Sequence, residues 1–143
     1  MNKIKNDLTK ELLNLMHYQI VFARNIFPRP IIVKSPKKKF FTQGESFFLY
    51  LMFDSLHNIP ELIKILQDDT AQIEEYKFNL DLVEINLQNL LKELEIFLSC
   101  SELHSNYHKM KINEDNGWCH SDLTRMKVTI PAVLELIDDV KLR

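Results

Sequence analysis

The chain has 143 residues, 45% apolar and 27% charged, with a net charge of −2. That is the balance of one folded domain with its own core, and it excludes a mostly disordered chain. Two glycines and five prolines are too few turn residues for an antiparallel sheet or barrel, so an all-α domain spanning residues 1–143 is expected. The longest unbroken apolar run, Phe47 to Phe53, is far short of the ~20 residues that span a bilayer. The polar start Met1-Asn2-Lys3-Ile4-Lys5-Asn6-Asp7 does not resemble a signal peptide. Two cysteines make no disulfide framework. A cytoplasmic protein without membrane contact is expected.

Four or five helices are predicted in a bundle. From Ile4 to Phe27, Ile4, Leu8, Leu12 and Leu15 recur at helical spacing, as do Leu13, Met16, Ile20, Ala23 and Phe27, which predicts a first helix with a broad buried face. Pro28 and Pro30 stop it. An irregular excursion over 28–44 follows, with a short extended pair at Ile31–Val33 and Lys39–Phe41, and Gly44 closes it. Glu45 to His57 is apolar almost all round, which predicts a largely buried helix. Pro60 is expected to break it and to start a short continuation, Glu61 to Gln67. Asp69 and Gln72 approach a capping-box pattern, and Glu74 and Glu75 suit the start of the next helix.

Ile73, Tyr76, Leu80, Val83, Leu87, Leu90, Leu94 and Phe97 follow a 3-4-3-4 spacing without Gly or Pro. This is expected to be the long central helix of the bundle. Its seam either closes the core within one chain or, if Ile73, Leu80, Leu87 and Leu94 are exposed, pairs two copies as a homodimer. Asn113–Gly117 marks a turn within a turn region over 110–121. Ser121-Asp122 suits one capped turn. Met126, Val128 and Ile130 alternate as in a short strand, and Thr129 and Pro131 open a last helix.

Two sets of residues carry candidate chemistry. Residues 1–44 hold nine Lys or Arg and two acids, and residues 45–143 hold nine Lys or Arg and eighteen acids. Between Glu11 and Glu45 there is no acid, while Arg24, Arg29, Lys34, Lys37, Lys38 and Lys39 fall there beside Phe40 and Phe41. Such a basic loop attracts an acidic protein surface or phosphates, with rings available for stacking. Otherwise it is a solvated loop that neutralises acids on its own domain, for example the run Asp68, Asp69, Glu74 and Glu75. Ser35-Pro36-Lys37-Lys38 resembles the SPKK elements of histone tails, a resemblance that implies contact with the minor groove of DNA. A pI near 6.2 argues against a dedicated nucleic-acid binder.

The second set is Cys100, His104, His108, Cys119 and His120. His104 and His108 are four apart on a helix, and Cys119 and His120 return after a turn, so His104, His108, Cys119 and His120 are the candidate zinc ligands. Cys100 and His108 are about 12 Å apart along a helix and cannot share one ion. The plain alternative is two histidines closing the end of a bundle and two core cysteines. The chain has no Gly-rich phosphate loop, no nucleophile elbow and no H-E-x-x-H sequence. No arginine precedes a histidine by four to six residues, unlike HEPN ribonucleases. The expected function is therefore non-catalytic: an adaptor, inhibitor or regulatory module that binds a protein partner through the basic loop, with no cofactor. The competing class is a zinc-binding or nucleic-acid-binding protein built on the Cys/His set or the basic loop.

Overall fold

The computed structural model describes residues 2–26, 43–99 and 120–142. These form four helices: α1 (Asn2–Ile26), α2 (Gln43–Leu66), α3 (Ile73–Ser99) and α4 (His120–Lys141). There is no strand among the described residues. The expected extended pair at 31–33 and 39–41 and the turn at 113–117 lie outside them. The helices have 25, 24, 27 and 22 residues, so the expected single long helix is instead one of four similar ones. Nor is α3 central. α1 packs on α4 and α2, and α3 packs on α2 and α4, which closes a ring of four walls around the core.

Each neighbouring pair runs antiparallel. Phe22 meets Phe48 edge to face, with ring centroids 5.8 Å apart, and Lys5 near the start of α1 reaches the residues just beyond the end of α2. Asn86 Nδ2 of α3 donates to the Leu51 carbonyl of α2 at 2.9 Å. Arg125 of α4 lies over the Tyr18 ring of α1, while Asp7 and Asp139 share a groove at the other end of that pair. Lys141 donates to Asp81 and, at 2.9 Å, to Glu84, and so joins the last turn of α4 to α3. The result is an up-down-up-down bundle.

The 3-4-3-4 seam of α3 builds the core. Tyr76, Leu80, Val83, Leu87, Leu90 and Leu94 are fully buried, against Leu8, Leu12, Leu15 and Phe22 of α1 and a matching stripe on each other helix. Leu80, Leu87 and Leu94 therefore face the interior of their own chain, and Ile73 is partly buried beside them. This strip is not available to a second copy. On α1 the buried face is narrower than expected, because Leu13 is exposed and Met16, Ile20 and Ala23 are half-buried.

Both internal prolines were expected at helix boundaries, and both lie inside helices. A proline in a helix interior costs about 3 kcal/mol. In α2, however, Ile59, Leu62, Ile63 and Leu66 are buried around Pro60, and each such side chain returns roughly 1.5–3 kcal/mol. The core outweighs the break. The same holds for α4, where Leu123, Met126, Ile130, Val133, Ile137 and Val140 form a continuous buried stripe through Pro131. The expected strand at 126–130 is thus part of a helix, and Val128 points outward.

The α2–α3 turn is built by its own polar groups. Asp68 Oδ1 accepts from the Thr70 hydroxyl at 2.7 Å and the Thr70 N–H at 3.0 Å. Those two hydrogen bonds, hydroxyl first, hold its carboxyl below the ordinary range against a small opposing effect of burial. The capping contact is three residues later than the Asp69–Gln72 pattern: Glu75 reaches back to accept from the Gln72 N–H at 3.3 Å. Gln72 is the residue before the first helical one, so it occupies the cap.

Candidate interaction surface

The antiparallel ring sorts the molecule into two unlike ends. One end carries the short 67–72 turn, the start of α1 and the end of α4. The other carries the end of α1, the start of α2, the end of α3 and the start of α4, at Ile26, Gln43, Ser99 and His120. The basic residues and the Cys/His set were separate in the sequence. Both connecting segments are rooted at this one end.

Of the basic set, Arg24 lies in the last turn of α1 and is exposed. Arg29, Lys34, Lys37, Lys38, Lys39, Phe40 and Phe41 lie outside the described residues. So do Cys100, His104, His108 and Cys119; His120 begins α4. The run Asp68, Asp69, Glu74 and Glu75, considered as an internal partner for the basic residues, sits at the opposite end. From Gln43 to Leu66 the helix alone spans about 35 Å.

Exposed aromatic residues lie on the first half of α2, toward the end where the basic segment is rooted. In α2, Phe47, Tyr50 and Phe53 are exposed, Tyr50 to 64% of its surface. The expectation of a helix buried all round fails here for a geometric reason. A wall of a four-helix ring buries one broad stripe, here Phe48, Leu49, Leu51, Met52 and Ser55, and any apolar surplus must face outward. That surplus was the readable signal for these three positions. Beside them, Phe53 and Leu56 of α2 and Ile20, Ala23 and Arg24 of α1 line a shallow apolar cleft of about 320 Å³.

A groove of about 380 Å³ between α1 and α4 is lined by Asp7, Glu11, Glu135 and Asp139, with Lys10 among them. Among the described residues no group of three or more His, Cys, Asp or Glu side chains is arranged to hold a metal ion. No helix there is long and apolar enough to cross a membrane. Burial opposes the Lys141 charge, but the Asp81 and Glu84 carboxylates outweigh it and hold the ammonium above its ordinary value.

No protein-family model, curated protein or solved structure matches the chain.

Proposed function

We propose that the protein is a non-catalytic cytoplasmic adaptor, inhibitor or regulatory module that acts by binding another protein. Its contact surface is the end of the bundle where the basic segment is rooted. The observation that supports this is the exposed Tyr50 and Phe53 on α2, with Phe53 lining a cleft beside Arg24. Aromatic residues and arginine are the side chains that dominate protein–protein contacts. Arg29, Lys34, Lys37, Lys38, Lys39, Phe40 and Phe41 complete the surface, and the charge of this set selects an acidic partner.

Affinity capture with the wild type, a Tyr50→Ser variant and a Lys37/Lys38/Lys39→Glu variant tests the proposal. A partner held by the wild type and lost from both variants supports it. The purified chain is also titrated against random DNA and RNA at two salt concentrations. A logarithmic affinity that falls with log salt by about 0.7–0.9 per neutralised phosphate would replace the protein partner with a nucleic acid.

Zinc binding through His104, His108, Cys119 and His120 is a second proposal, favoured by one observation. Asp122, in the first turn of α4, is buried and its Oδ2 has no hydrogen-bond partner, while Oδ1 lies 3.8 Å from Arg125. An unpaired carboxylate oxygen near the start of α4 is the kind of acceptor to which a zinc-ligating histidine donates its other ring N–H. Stoichiometric zinc in the purified protein, released only by strong chelators, is the expected result. Metal-free protein with unchanged helicity ends the proposal.

A further inference from the structure

The hydrogen bond from Asn86 Nδ2 to the Leu51 carbonyl sets α2 and α3 in register. It also identifies the two rows of side chains that flank their outer groove. On α2 the row runs through positions 47, 51, 54, 58, 61 and 65, and on α3 through 75, 79, 82, 86, 89 and 93. Each advances by three or four residues, so each stays on one side of its helix. The rows contain Asp54, Glu61, Glu75 and Glu93, together with apolar and amide side chains, and no Lys, Arg or His at all. Leu82 and Phe47 stand exposed on the rows. Phe78, one turn before Leu82, exposes 71% of its surface, and Ile85 continues the stripe at 58%. Thus α3 carries a second apolar face on the side away from the core.

We propose that this groove receives a positively charged amphipathic helix of a partner protein, about 18 residues long. The length follows from the rows, which span roughly 27 Å at 1.5 Å per residue. An apolar stripe at i, i+3, i+4 and i+7 packs on Leu82, Phe47 and Phe78, and flanking Lys or Arg meet the four carboxylates. Charge selects this occupant over the others. A second copy seated face to face would set four carboxylates against four, which like-charge repulsion disfavours. A nucleic acid meets the same repulsion. The chain's own basic segment is joined to α2 at Gln43, close to Phe47 but some 27 Å from Glu61, so a loop tied at both ends runs the whole length of the groove only when fully extended. This surface is separate from the basic end proposed above and does not depend on it.

Selection of a displayed library of 18-residue helical peptides on the full chain tests the proposal. Enriched peptides should be rich in Lys and Arg with apolar residues at helical spacing, and their affinity should fall with salt. Binding should weaken at least about tenfold in Leu82→Ser and in Asp54→Lys/Glu61→Lys, both checked for wild-type helicity by circular dichroism. It should be unchanged in Lys37/Lys38/Lys39→Glu, which separates this surface from the basic end. Acidic or unpatterned enriched peptides, no enrichment, or full affinity in both groove variants would overturn the proposal. Tighter binding in the Lys37/Lys38/Lys39→Glu variant would also overturn it, because the chain's own segment would then be the occupant.

Discussion

Gln19 is fully buried in α1, and neither its amide nitrogen nor its oxygen has a hydrogen-bond partner. A buried amide left unpaired costs about 1–3 kcal/mol, so Gln19→Leu, which keeps the volume and removes the polar atoms, should stabilise the protein by about 1 kcal/mol. Urea denaturation measures it, and a loss of stability would mean that the amide is paired in solution. Asn86 is the contrasting case, because its nitrogen is satisfied by Leu51. Lys141 is a charge that the fold uses. Its ammonium is held above the ordinary value of 10.5 by two carboxylates, so its contribution is complete below that pH and is lost as pH rises past it. Lys141→Met should cost about 1 kcal/mol at pH 7 and 9 alike, and the gap from wild type should close above about pH 10.5. A gap that closes between pH 7 and 9 would refute the assignment.

Among the elements, α3 was legible because its eight seam positions keep one period without interruption, and the packed core uses that period directly. α4 carries an equally regular stripe from Leu123 to Val140, but Met126, Val128 and Ile130 also alternate, and Pro131 suggested a boundary. Local proline chemistry favours a boundary there, and the stripe of six buried residues prevails energetically. Pro60 and Pro131 are both exposed, so replacing them removes a helix penalty without removing packing. Pro131→Ala should raise stability by about 1–2 kcal/mol, the helix gain reduced by the greater freedom of the unfolded chain. Thermal unfolding decides it, and a fall in the midpoint would show that the ring makes a contact of its own. The surface was harder to read than the core. Periodicity marks the positions that bury, and it is silent about which surplus rings on α2 and α3 stay outside until the number of walls is known. The charge rows along the α2–α3 groove depend on register, which a single hydrogen bond between distant residues reveals and no local pattern does.

At the scale of the whole molecule, charge and apolar surface are arranged by the antiparallel ring. Exposed rings stand at the start of α2, carboxylates line the α1–α4 groove and the α2–α3 side, and the two ends are about 35 Å apart along the helices. The same ring has a consequence for how the chain reaches its native state. α2 and α3 are joined by the short 67–72 turn, so they meet at small loop-closure cost. The most extensive interface joins α1 to α4, the first helix to the last, and it waits on the longest closure in the chain. Folding should therefore start from the α2–α3 hairpin, and docking of α1 with α4 should come after the rate-limiting step. Leu66→Ala beside the turn should slow folding, with most of its destabilisation appearing in the folding rate. Ile137→Val in α4 should act mainly by speeding unfolding. If stopped-flow measurements show the reverse, the outer pair nucleates first despite its separation. In the expected order, the barrier to unfolding resides in the seam between the two chain-distant helices, and variants that strengthen α1 against α4 lengthen the lifetime of the native state without changing how fast it forms.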